Sequence, residues 1–179
     1  MTKVITYTHN GNVAVCLPAP NARLVTTENG PVSLEKSGAI KRLPPDDIPW
    51  AETKDEFVQR IREKDVPDDA LNVTIVEDTD LPSRKFRNAW KQNGVGKPGV
   101  DMPKARDLHM DKIREVRNEE LKKEDINFQR ALEADDASVK TAVATKKQAL
   151  RDLPATFDLN GAGTDEELDA LWPSELPSR

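Results

Sequence analysis

The side chains that most often carry chemistry are few in this sequence and lie far apart. His9 and His109 each lack a second histidine or a cysteine at the spacing of metal ligands. Cys16 is the single cysteine, which excludes an intramolecular disulfide and a cysteine-based zinc cluster. Its neighbours supply no positive charge that would activate a thiolate. We therefore interpret both histidines and Cys16 as structural residues.

One loop, residues 158–163, partly matches a calcium-binding loop. Ala162 occupies its third acidic position, and Pro154 interrupts the helix that would enter it. Paired carboxylates elsewhere, such as Asp46 and Asp47, fall in predicted turns, where aspartate bonds to its own backbone. We expect no catalytic residue, no metal site and no cofactor, and we predict that the protein is not an enzyme.

The composition limits the size of the core that could position any site. Hydrophobic residues make up 36% of the 179 residues and aromatic residues 4%, whereas 33% are charged. This is less apolar material than an average globular protein contains. The chain is therefore expected to be elongated or multi-lobed, or to complete its burial against a partner.

The formal charge of −5 is concentrated in one region. Residues 1–100 carry 14 basic and 14 acidic side chains, residues 101–152 carry 12 of each, and residues 153–179 carry one basic and six acidic side chains. No basic stripe is present, so general nucleic-acid binding is not expected. The sequence has neither an 18-residue apolar run nor a signal-peptide core, so we expect a soluble structural or interaction protein that does not span a membrane.

The first 92 residues predict a small α+β module that begins with a β-hairpin. Two β-branched runs, 3–8 and 13–17, flank a turn that contains Asn10 and Gly11, which tolerate the positive φ angles of a tight hairpin. Residues 21–50 contain four prolines and two glycines, most of them in turn-forming pairs, and predict an irregular segment with one weak strand near 31–34.

The module continues with a helix and a third strand. Thr53 and Glu56 form the sequence pattern of a capping box, which predicts a short helix that ends soon after Lys64. Residues 71–76 alternate in the manner of a β-strand.

Beyond a linker at residues 93–102, the sequence predicts a long antiparallel helical hairpin over 103–153. Its first helix runs from Pro103 to about Ala134, and Asp135-Asp136 ends it and caps a second helix over 137–152. So short a connection makes the two helices antiparallel. Residues 154–179 form an acidic tail with one short helix that begins at Thr164.

The hairpin carries only a narrow apolar stripe, which indicates that it self-associates or lies against a larger assembly. A mobile Trp-Pro segment near the C-terminus could place an aromatic ring in a partner's pocket. The candidate partner interface consists of Phe86, Trp90, Met110, Ile113, Leu121, Phe128, Leu171, Trp172 and Leu176. For Phe86 and Trp90 two other interpretations stand: packing onto the N-terminal module, or stacking on nucleic-acid bases within the basic-aromatic segment 84–91.

Two blocks in the C-terminal third resemble a known family. Residues 147–154 (KQALRDLP) and 171–177 (LWPSELP) are similar to the ending of phage tail assembly chaperones and tail-fibre assembly proteins. Residues 86–90 and 100–107 look like a block found in proteins of tailed phages and prophages. Together these blocks are spread over residues 86–177, roughly half of the chain.

The resemblance implies a bacteriophage tail-associated structural or assembly protein, located at the tail tip or at the attachment of a tail fibre. Such a protein would be made in the host cytoplasm and carried in the virion tail. Its partners would be tail or tail-fibre proteins and further copies of itself, with a trimer as one option. Two alternatives remain: a tail-fibre assembly chaperone that is not part of the virion, and a phage nucleic-acid-binding regulatory protein.

Overall fold

The structure is a computed structural model that describes residues 2–92 and 94–179. Its contacts divide the chain into two compact units, and the chain passes from one to the other three times. Unit 1 consists of Met1–Pro82 and Trp90–Gly99, and unit 2 of Ser83–Ala89 and Val100–Arg179. The predicted α+β class is confirmed. The division differs from the expected one, because segment 83–89 belongs to the helical unit and most of the expected linker belongs to unit 1.

The predicted N-terminal hairpin is confirmed. Strand β1 (Lys3–His9) pairs antiparallel with β2 (Asn12–Cys16), with His9 opposite Asn12. Asn10 and Gly11 form the two-residue turn with φ angles of 50° and 75°, as a tight hairpin turn requires.

A second hairpin lies where the sequence predicted a single weak strand. Strand β3 (Leu24–Thr27) pairs with β4 (Gly30–Ser33). Pro31 stands in β4, and proline is tolerated there because β4 is an edge strand, whereas β3 is also bonded on its other side to residues 49–51. The strand therefore extends from Gly30 to Ser33, one residue earlier than expected, and has a partner that the sequence did not reveal.

Helix α1 and strand β5 complete the core of unit 1. Helix α1 (Lys54–Asp65) begins at the predicted capping box of Thr53 and Glu56. Strand β5 (Leu71–Glu77) pairs with β1 to give a three-stranded antiparallel sheet in the order β2-β1-β5. The core of this unit is formed by Ile5 with three side chains of α1, namely Phe57, Val58 and Ile61.

The predicted helical hairpin is confirmed in unit 2. Two short strands, β6 (Trp90–Lys91) and β7 (Gly99–Val100), precede it. Helix α2 (Met102–Glu133) packs against α3 (Ala137–Thr156). Asp136 caps α3 by accepting hydrogen bonds from the amides of Ser138 and Val139.

Helix α3 ends later than the sequence predicted. Pro154 lies inside its last turn, and the helix continues to Thr156. Proline removes one backbone donor, and here the following turn is still closed by a bond from the Phe157 amide to the Leu153 carbonyl. A last helix, α4 (Asp165–Ala170), begins at the predicted capping box of Thr164 and Glu167.

The core of unit 2 lies at the base of the hairpin, where α2 begins and α3 ends. It includes residues that precede the hairpin in the sequence and residues that follow it. Its buried members are Phe86, Ala89, Ala105, Ile113, Leu150, Leu153, Leu159, Ala162, Leu168 and Leu176. Among the described residues, no helix has both the length and the apolar composition needed to cross a membrane.

Candidate functional site

The nine predicted interface residues divide between the interior and the surface of the protein. Phe86, Trp90, Ile113 and Leu176 are buried, each 6% exposed or less. Phe86, Ile113 and Leu176 belong to the core of unit 2, so we correct their role from partner contact to internal packing. The apolar stripe of the sequence marked Ile113 as apolar, but it could not show that residues outside the hairpin, Phe86 and Leu176 among them, share one core with it.

The other five predicted residues are half-buried. Four of them pack against the core of unit 2, and Phe128 lies farther along the hairpin; the five are Met110, Leu121, Phe128, Leu171 and Trp172. These side chains keep some surface for a partner.

The C-terminal Trp-Pro segment, which we expected to be mobile, is part of the packed unit. Pro173 is fully buried, and the indole N–H of Trp172 donates to the Pro177 carbonyl over 2.9 Å. The buried His109 ring lies between two aromatic rings, 5.9 Å from Phe86 and 6.0 Å from Trp172. Trp172 is therefore held in place by its neighbours.

His109 supports this packing as a neutral side chain. Its Nε2 lies 2.8 Å from the Leu171 carbonyl, which places the ring proton on that nitrogen. Burial lowers the pKa of His109, because an imidazolium would lose its hydration there.

The acidic residues of segment 153–179 mostly have local structural roles, which corrects the description of this segment as a tail. Asp158 accepts from the Asn160 amide, Asp165 from the Ser83 amide, and Glu167 from the Gly163 and Thr164 amides. Aspartate and glutamate are favoured at such turn and cap positions.

The far end of the hairpin has a different character, and we call residues 122–147 the distal arm. Charged pairs join its two helices: Lys146 bonds to Glu124 over 2.7 Å, and Lys147 to Asp125 over 2.5 Å. Lys147 also lies 5.2 Å from the centre of the Phe128 ring. Ala131 and Val143 are its buried apolar contacts.

Three aliphatic side chains of the distal arm face solvent. Ile126 and Leu132 are each 51% exposed, and Val139 is 41% exposed. Helical spacing groups Leu132 with the apolar stripe of the first helix and Val139 with the apolar face of the second, whereas Ile126 lies off that stripe, two residues from Phe128. These three exposed side chains are the candidate interaction residues of the arm.

The basic-aromatic segment 84–91 does not present its rings for base stacking. Phe86 is 3% exposed in unit 2, and Trp90 is 6% exposed in unit 1. The expectation that both rings pack onto the N-terminal module is wrong for Phe86, which packs in the helical unit. The charged neighbours Arg84, Lys85 and Arg87 are exposed.

Unit 1 contains one well-compensated carboxylate, Glu52. It accepts hydrogen bonds from the Leu24 amide over 2.7 Å and from Nε and Nη2 of Arg60 over 2.9 and 2.7 Å. The bond from Arg60 is the main reason that the pKa of Glu52 is lowered. This group ties the β3–β4 hairpin to α1, and its full set of partners indicates a structural role.

The described residues do not group three or more histidine, cysteine, aspartate or glutamate side chains in an arrangement that could hold a metal ion. Protein-family models, curated proteins and solved structures were each compared with the chain, and none of them matches it.

Proposed function

We propose that this chain is a structural or assembly protein of a bacteriophage tail, acting at the tail tip or at the attachment of a tail fibre. The phage assignment rests on the resemblance of residues 147–154 and 171–177 to tail assembly proteins. Both blocks contribute buried residues to one core, with Leu150 and Leu153 from the first and Leu176 from the second. Because the two blocks pack into the same core, they support a shared structural unit better than two matches at unconnected places would.

The observation that carries the assembly role is the distal arm. Helix α2 has 32 residues, so it is roughly 48 Å long at 1.5 Å per residue. The core of unit 2 covers its base, whereas the arm exposes Ile126, Leu132 and Val139 beside its own thin apolar seam. Covering exposed apolar side chains with a partner removes them from water, which lowers the free energy and stabilises the complex. The proposed partners are further copies of this chain and tail or tail-fibre subunits.

Mass spectrometry of purified phage particles tests the location. The copy number of the chain is measured relative to the major capsid and tail-tube proteins. A stoichiometric signal in small multiples of three or six per particle is the expected result. Absence from particles despite abundant expression would contradict a virion component and favour the alternative, a tail-fibre assembly chaperone that leaves before maturation.

Sedimentation velocity of the purified protein tests the arm as a self-association surface. Leu132→Lys places a charge on the arm, and a lysine is compatible with the last turn of α2 because it complements the helix dipole. We expect this variant to lose the oligomer that the wild type forms. Leu17→Lys is the matched control, because Leu17 is a similarly exposed leucine (57%) in unit 1.

An unchanged oligomer in Leu132→Lys, with helix content preserved by circular dichroism, would contradict self-association through the arm. A wild type that is monomeric at all concentrations would contradict the homo-oligomer and leave tail subunits as the partner.

The second alternative, a nucleic-acid-binding regulatory protein, is weakened by the burial of Phe86 and Trp90. Stacking on bases requires exposed ring faces. Retention on a DNA column that falls steeply with salt would restore this alternative.

A further inference from the structure

One pocket of unit 2 gathers basic side chains that are far apart in the sequence. It has a volume of about 490 Å³, within the range of small-ligand sites. Asp169 is the single carboxylate that lines it. Its five basic residues come from segment 84–89, from α2 and from the C-terminal segment: Arg84, Lys85, Arg87, Lys112 and Arg179. We call this site the basic pocket, and its positive charge contrasts with a chain of net charge −5.

Asp169 compensates only part of this positive charge. It accepts from Lys85 over 2.5 Å and from Arg179 over 3.0 Å, and the guanidinium of Arg179 also bonds to its main-chain carbonyl. The hydrogen bond from Lys85 is the main reason that the pKa of Asp169 is lowered, so this carboxylate is charged at neutral pH. One carboxylate shared by two cations leaves an excess of positive charge.

Two of the other basic groups, Lys112 and Arg84, are not committed to buried partners. Lys112 pairs over 2.6 Å with Glu115 one turn along α2, and both side chains are more than half exposed. Such surface pairs contribute little and are readily exchanged. Arg84 is exposed and has no hydrogen-bond or ion-pair partner among residues 2–92 and 94–179.

The side chains that line the basic pocket between these cations are held in place by their own packing. Phe86 and His109 line the basic pocket and are both buried, while Leu108 is half-buried. His109 is held by its bond to the Leu171 carbonyl. Fixed walls with cations at the rim resemble a preformed anion site more than a mobile charged surface.

We propose that the basic pocket binds a phosphate-bearing ligand. Three of its five cations are arginines, whose planar guanidinium groups bond phosphate oxygens in pairs. A group with two or more negative charges matches the excess of positive charge better than a single carboxylate does. The phosphate could belong to a small molecule or to a nucleic-acid backbone held through its phosphates alone. This site goes beyond the proposed tail function and does not depend on it.

Isothermal titration with inorganic pyrophosphate at constant ionic strength tests the proposal. The pocket variant is Arg84→Gln/Lys112→Gln, which removes two exposed cations. The control is Arg114→Gln/Lys122→Gln, which removes two exposed cations of α2 that form the same kind of i,i+3 pair outside the pocket. The wild type and the control are expected to bind alike, and the pocket variant at least about tenfold more weakly, as expected for the loss of charge-assisted hydrogen bonds.

A second titration with a twelve-nucleotide single-stranded DNA identifies the source of the phosphate. Competition between the DNA and pyrophosphate, with both weakened in the pocket variant, would support the site and assign it to a nucleic-acid backbone. Pyrophosphate binding without DNA binding would support a small phosphorylated ligand. The absence of pyrophosphate binding to the wild type, or equal affinity in the pocket and control variants, would overturn the proposal.

Discussion

Glu52 illustrates how one side chain can make the stability of unit 1 depend on pH. Its pKa is lowered from an ordinary value of 4.5, mainly by the hydrogen bond from Arg60. In the unfolded chain this partner is absent, so the unfolded state takes up the proton at a higher pH than the folded state does. The stabilisation from Glu52 is therefore complete above about pH 4.5 and is lost as the pH falls through the lower, folded pKa.

Glu52→Gln should remove this contribution. At pH 7 we expect the free energy of unfolding to fall by about 2 kcal/mol, the size of a hydrogen bond to a charged group. The difference between wild type and variant should shrink as the pH falls below about 4.5. Urea unfolding at several pH values measures it, and Glu35→Gln, at an exposed carboxylate of the same unit, controls for the loss of one charge. A difference that is the same at pH 7 and pH 3 would contradict this account.

At the scale of elements, the boundaries that the sequence could predict were those with local chemical signals. The capping boxes at Thr53 and Thr164 gave the starts of α1 and α4, and Asn10-Gly11 gave the first hairpin turn. Each of these signals lies within a few residues of the structure that it determines.

The elements that the sequence did not predict depend on distant contacts. Strand β3 has four residues and is recognisable only through its partner β4, which contains a proline. Phe86 and Ala89 are core residues, but they stand among exposed basic residues that suggest a surface segment. The basic pocket could not be predicted, because Lys112 and Arg179 join Arg84 only in three dimensions. Helical periodicity likewise groups Leu132 and Val139 with apolar positions of the hairpin that are buried, such as Ile113 and Val143, and so does not predict that these two side chains are exposed.

Substitution of a buried leucine of the helical hairpin should lower its stability much more than substitution of an exposed one. Leu150 in α3 is fully buried, whereas Leu132 in α2 is 51% exposed. Leu150→Ala is expected to lower the free energy of unfolding by about 3 kcal/mol, through lost burial and the cavity left behind. Leu132→Ala should have a much smaller effect, measured on dilute protein so that self-association does not contribute. Thermal or urea unfolding followed by circular dichroism at 222 nm compares the two, and similar losses would contradict the described packing.

At the scale of the whole molecule, each unit has its own apolar core. Ile5 is fully buried in the core of unit 1, and Leu168 is fully buried in the core of unit 2. Because opening of local structure depends on nearby packing, a cavity in one core should first increase amide exchange within that unit.

Hydrogen–deuterium exchange read out by mass spectrometry checks this expectation. Ile5→Ala should accelerate exchange in β1, β5 and α1 before it affects α2, and Leu168→Ala should do the reverse. Uniform acceleration along the whole chain in both variants would show a single cooperative unit and contradict the division.

The order in which the two units can fold during synthesis follows from the way the chain alternates between them. Once Gly99 has left the ribosome, all residues of unit 1 have been made. Phe86 and Ala89 have also been made by then, but their partners Leu150, Leu168 and Leu176 have not. These two apolar side chains thus stay uncovered while about 80 further residues are added, an interval in which they are open to aggregation. We therefore expect the correct folding of unit 2, more than that of unit 1, to depend on translation speed and on chaperones that bind nascent chains.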